Sequence, residues 1–125
     1  MLTLARCGTR DLARARAFYD EIAAILGAKV AFAADTMVAY SGAKGGTFII
    51  GLPLAGEASV GNGTQFSFTA PDQAAVAAAH DKALELGAVS EGEPGYRGPE
   101  ERGFYAAYFR DPDGNKLMVY HSPNM

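Results

Sequence analysis

Apolar and polar positions along the chain switch twice between a period of two and a period near three and a half. The switches outline a unit that occurs twice. Residues 2–8 alternate over a short strand. Arg10 and Asp11 then open a helix through Leu26, in which Leu12, Ala15, Phe18, Tyr19, Ile22, Ile25 and Leu26 step by three and four. That spacing predicts one buried stripe. Asp11 suits the positive end of the helix dipole, and Gly27 is a natural stop. Strands are predicted over 29–33, 36–41 and 46–52, with Gly42-Ala43-Lys44-Gly45-Gly46 as the turn between the last two. Residues 53–63, rich in Gly, Pro and small side chains, read as a linker.

The pattern then recurs. Over 64–69, Gln65, Ser67 and Thr69 alternate with Phe66 and Phe68, a half-buried strand. Pro71 and Asp72 begin a helix running to about Leu86, with Val76, Ala79, Ala83 and Leu86 or Gly87 inward. His80, mid-helix among alanines, reads as partly exposed. Leu86-Gly87-Ala88 repeats Leu26-Gly27-Ala28 sixty residues on, and Asp72 follows Asp11 by sixty-one. Residues 92–103 (GEPGYRGPEERG) read as a long Gly/Pro loop, either a mobile edge or a pocket lid. The chain closes with FYAAYFRDPDGNKLMVYH over 104–121. Two runs of aromatic and β-branched residues flank Asp111-Pro112-Asp113-Gly114-Asn115, which predicts a β-hairpin. Each half thus reads strand, helix, then three strands. The halves share little sequence identity, so the repeat rests on element order and helix ends.

The strings YAAYFRDPDGNKL and AFYDEIAAILG together resemble the vicinal-oxygen-chelate superfamily, the group of glyoxalase I, extradiol dioxygenases and the bleomycin and fosfomycin resistance proteins. The likeness runs from about residue 2 to residue 121. It implies an α+β fold in a single domain over 1–125: two βαβββ modules forming a U-shaped mixed sheet around a cleft, with one helix per module on the convex side. Module one would cover about 1–53, the linker 54–62 and module two 63–121. The resemblance also implies a metal site with ligands from the first and last strands of each half, where relatives carry His or Glu to hold a Lewis acid. The matching positions here are Leu4, Ile49, Gln65 and Met118. Leucine and isoleucine cannot ligate, a thioether is too soft for hard or borderline divalent ions, and one amide is a poor lone survivor. A register error of two would bring in Leu2, Arg6, Gly63, Ser67, Lys116 or Tyr120. None is His or a carboxylate. The chain has two histidines, so an imidazole triad cannot be built; His121 reads as a polar strand-end residue. Neither a metal nor another cofactor is expected.

Composition narrows the partners. Over 125 residues the net charge is −3 with no Lys/Arg run, so no electrostatic footprint for nucleic acid exists. No apolar run approaches membrane-spanning length, and the N-terminal residues lack a signal-peptide layout, which makes a cytoplasmic protein the default. The single cysteine, Cys7, reads as a small buried apolar residue rather than a nucleophile.

Alternation assigns the cleft. Leu117 and Val119 suit the helix-packed face, leaving Lys116, Met118 and Tyr120 toward the hollow. Phe66 and Phe68 likewise leave Gln65, Ser67 and Thr69 there, and Leu4 and Arg6 point the same way. The expected ligand-binding residues are Leu4, Arg6, Ile49, Gln65, Ser67, Tyr96, Met118 and Tyr120. Arg6 could meet a carboxylate or phosphate, or pair with Asp or Glu at a strand end. Glu101 could act as a general base or a stand-in ligand, or belong to a solvated charged loop. Of Phe104, Tyr105, Tyr108 and Phe109, which pair faces inward stays open. The expected function is metal-independent binding of a small organic molecule by a homodimer, a state the resemblance implies. A lyase or dioxygenase with an unconventional site around Gln65, Glu101 and Tyr120 is the rival, and a dimerisation module with a vestigial cleft the third reading.

Overall fold

Asp11 sets the start of the first helix. Its carboxylate accepts the Arg14 amide at 3.0 Å from an extended N-cap conformation, and α1 runs over Leu12–Leu26. Gly27 ends it at φ 75°, a left-handed conformation that an L side chain rarely adopts. Asp72 caps the second helix in the same way, accepting the Ala75 amide at 2.8 Å, and α2 covers Gln73–Glu85. These helices belong to a computed structural model that describes residues 1–124.

Eight strands complete the two modules. Module one contributes β1 (Leu4–Gly8), β2 (Lys29–Ala33), β3 (Met37–Ser41) and β4 (Thr47–Gly51). Module two contributes β5 (Phe66–Thr69), β6 (Val89–Tyr96), β7 (Tyr105–Arg110) and β8 (Lys116–His121). The element order is βαβββ twice, as expected. The mixed sheet comes as two four-stranded halves, ordered β1-β4-β3-β2 and β5-β8-β7-β6. In each half the first strand runs parallel to the last and the other pairs are antiparallel.

The helix-side faces of both halves converge on one core. Ile50, Val38, Leu117, Val119 and Phe109 are all at most 1% exposed, and they share a cluster with Phe18, Ile22, Val76 and Ala79 of the helices. Phe48 of β4 meets Phe66 and Phe68 of β5 at ring distances of 5.6 and 4.9 Å, and Phe18 of α1 meets Phe109 of β7 at 6.2 Å. Burial on this scale supplies most of the favourable free energy.

Two local expectations are corrected. His80 is not partly exposed: α2 packs on both β6–β8 and α1, which leaves it 1% accessible with Nε2 at 2.8 Å from Ser90 Oγ. Residues 92–96 are strand, not loop. Gly92 and Gly95 lie where the β6–β7 register shifts, and a Cβ at Gly92 would sit 3.0 Å from Tyr108. Glycine there marks close packing inside a strand. The remaining loop holds a single 3₁₀ turn at Glu100–Arg102.

Candidate functional site

The faces turned away from the helices carry most of the residues singled out above. On the first sheet Arg6 is the cross-strand partner of Ile49 and Leu4 that of Thr47, so parity puts them on one open face. Arg6 forms no ion pair with a described carboxylate. Its guanidinium crosses Gly51 and donates to the Leu52 carbonyl at 2.9 Å, and a side chain at Gly51 would collide with it. On the second sheet Ser67 partners Met118, Met118 partners Tyr108, and Tyr120 partners Ala106. Gln65, just before β5, donates to Ser67 Oγ at 3.3 Å. The Tyr120 ring stacks on Phe104 at 5.1 Å.

Two expected residues sit elsewhere. Tyr96 pairs with Tyr105 on the helix side, packs edge-on against it at 5.3 Å, and accepts a hydrogen bond from Gln73 at 3.1 Å. Glu101 is exposed in the 3₁₀ turn.

Three residues on the open face of module two, Glu91, Arg97 and Arg110, escaped the sequence reading. Tyr108 lies under the Arg97 guanidinium and the Lys116 ammonium, at 5.4 and 5.7 Å from its ring centroid. Glu91 ties the group together, accepting from Arg110 at 2.8 Å with Lys116 at 3.7 Å. The signal was parity: once Phe109 is placed in the core with Leu117, Tyr108 and Arg110 must point to the open face. Of the hairpin aromatics, Phe104 and Tyr108 therefore take the open face and Tyr105 and Phe109 the helix side.

The residues at the positions that the resemblance assigns to ligands do not fit a divalent metal. Leu4, Ile49 and Met118 offer no hard donor, and among the described residues no three His, Cys, Asp or Glu side chains converge. Both imidazoles are engaged elsewhere, His80 with Ser90 and His121 Nδ1 with the Ala70 carbonyl at 3.0 Å. Nor does Cys7 offer a nucleophile. Burial, with Asp111 and Asp113 nearby, pushes its thiol up to about 12, so it stays protonated.

The seam between the modules is asymmetric. At one end Asp111, 4% exposed, accepts the Tyr19 hydroxyl, the Asp113 and Asn115 amides and the Asn115 side chain. Asp113 accepts the Thr9 hydroxyl, the Arg10 amide and the Arg14 guanidinium, and Asn115 donates to the Gly8 carbonyl. At the other end the structure leaves a cavity of about 480 Å³, bordered by Leu4, Gln65 and Ser67 among others. Among the described residues, no helix is long and apolar enough to cross a membrane.

Comparison with known proteins matches residues 4–119 to the model of the Glyoxalase/Bleomycin resistance protein/Dioxygenase superfamily. Among solved structures, a glyoxalase/bleomycin resistance protein from Albidiferax ferrireducens T118 is 33% identical, with a TM-score of 0.87 over 98% of this chain and 99% of that one. A glyoxalase-related enzyme from Fulvimarina pelagi shares the fold at 17% identity, with a TM-score of 0.74 over 98% and 88% of the two chains. A lactoylglutathione lyase from Agrobacterium tumefaciens does so at 22% identity, with a TM-score of 0.65 over 97% and 92%. No curated protein matches the chain.

Proposed function

The chain belongs to the glyoxalase/bleomycin resistance protein/dioxygenase superfamily, and from that membership we propose that it holds a small organic molecule on the open faces of its sheets without a bound metal. One observation carries the reading: the positions that resemblance assigns to metal ligands hold Leu4, Ile49, Gln65 and Met118, with Arg6, Ser67, Lys116 and Tyr120 around them. Apolar surface with a few placed polar groups favours an organic ligand over a hard cation. Pairing of two copies belongs to the same proposal. Leu4 and Phe32, 50% and 59% exposed, share the open face of the first sheet, and a second copy could cover them.

Metal analysis of the purified protein and a thermal-shift series test it. Stoichiometric iron, manganese, nickel or zinc is not expected, and chelator should leave the melting temperature unchanged. A ligand from a panel of acids, phenols and thiol conjugates should raise the melting point, by an amount set by its concentration over Kd. Met118→Glu, which places a charge on the apolar patch, should abolish that rise. One metal equivalent per chain, removed by chelator with loss of stability, would instead favour a metal-dependent lyase or dioxygenase.

A further inference from the structure

The asymmetry of the seam points to a ligand cavity that adjoins the open-face site at Leu4, Gln65 and Ser67. In module two the five-residue β7–β8 connection over 111–115 reaches the start of α1 and seals that end with hydrogen bonds. The β3–β4 connection over 42–46 is its counterpart in module one. It lies near the start of α2, bordering the cavity together with Ala70 and Pro71, but its sequence is Gly-Ala-Lys-Gly-Gly. The helices repeat the contrast. Tyr19 reaches across the seam to Asp111, whereas His80, sixty-one residues later, has Gly42 at the place corresponding to Asp111 and bonds Ser90 in its own module. Where module two supplies carboxylates, module one leaves space.

The space meets the open-face residues Leu4, Gln65 and Ser67 at its edge and runs from there to the helix side, where its wall includes Ile22 and Leu26 of α1, Phe48 of β4 and Phe68 of β5. The hydroxyls of Tyr19 and Tyr40, which also line it, are bound to Asp111 and Asp20, so these residues contribute mainly their rings. Among the described lining residues Lys44 is the one charged side chain, and it forms no ion pair with any described residue. A Cβ built at Gly45 or Gly46 meets nothing within 4 Å, so this loop leaves room at the rim. At about 480 Å³ the volume falls within the range of small-molecule sites.

We propose that this cavity binds an amphipathic carboxylic acid, its apolar tail or ring between α1 and β5 and its carboxylate at Lys44. The wall favours an apolar body, and one unpaired ammonium at the rim selects an anionic head over a neutral or cationic one.

Titration of isotope-labelled protein with octanoate, octanol and octylamine, followed by amide chemical shifts, tests the site. Octanoate should bind most tightly and shift amides over 22–26, 44–48 and 66–69. Lys44→Ala should weaken octanoate by roughly three- to fivefold, as expected for a partly solvated ion pair, and leave octanol unchanged. Lys44→Glu should reverse the order of octanoate and octylamine. Ala23→Leu, which fills the cavity from α1, should remove binding of all three. If that variant does not fold, the two Lys44 variants on the exposed loop decide the matter. Equal binding of octanoate and octylamine, insensitivity to Lys44→Glu, no binding at all, or shifts confined to the open face of β7 and β8 would each overturn the proposal.

Discussion

Asp111 shows what one side chain does across ninety-two residues of chain. It is buried and accepts four hydrogen bonds, one of them from Tyr19 in the other module. Asp111→Ala leaves those donors without a partner. Because each unsatisfied buried group costs about 1–3 kcal/mol, the variant should lose roughly 3–5 kcal/mol in urea unfolding. Tyr19→Phe, which removes one donor and keeps the ring, should lose only about 1–2 kcal/mol. Equal losses would mean that the ring packing of Tyr19, not the carboxylate, holds the seam. The sequence marked residues 111–115 as a turn from Pro112 and Gly114, and the turn is there. It could not show the second role, since Thr9, Arg14 and Tyr19 become neighbours of this turn only when the modules pack. Arg6 was likewise ambiguous, because its partner is a backbone carbonyl and backbone acceptors leave no mark in a sequence.

At the scale of elements, legibility followed the strength of local signals. Both helix starts were visible from Asp11 and Asp72, since an N-cap needs only residues three apart. Gly27 marked the first helix end. A residue at φ 75° should resist a side chain, so Gly27→Ala should cost about 1–2 kcal/mol by chemical denaturation while leaving helix content unchanged. A neutral substitution would mean that the chain relaxes out of the left-handed cap. The extent of β6 was illegible because its glycines and proline carry loop composition. They are there for the bulges and for the approach of Tyr108, which depend on a strand paired later in sequence. His80 was misplaced although it lies four residues after Val76, on the buried stripe. A polar side chain at such a position was read as outward because its partner, Ser90, belongs to another element.

The two modules make one molecule through their shared core, and that core sets how stability responds to alkali. Cys7, Tyr19 and Tyr40 each contact it, and burial is the largest cause raising all three above their ordinary ranges. For Tyr19 the neighbouring Asp111 adds to this, and for Tyr40 the hydrogen bond to Asp20. The folded chain therefore keeps these protons to higher pH than the unfolded chain does. Below pH 9, the ordinary thiol value, both states are protonated and the contribution of Cys7 is fully present. As pH rises past it, the unfolded chain releases protons first, and stability falls until the native thiol ionises at about 12. Each fully titrating group contributes a slope of about 1.4 kcal/mol per pH unit, so Cys7 should cost about 1.4 kcal/mol at pH 10, with the tyrosines adding more above their own ordinary values. Urea unfolding at pH 7, 8.5 and 10 measures this, with Cys7→Ala as the comparison. The variant should lose less stability between pH 8.5 and 10 than the parent, by about 1 kcal/mol. An equal loss in both proteins would place the alkaline weakness outside the core, among surface charges that no contact between the modules controls.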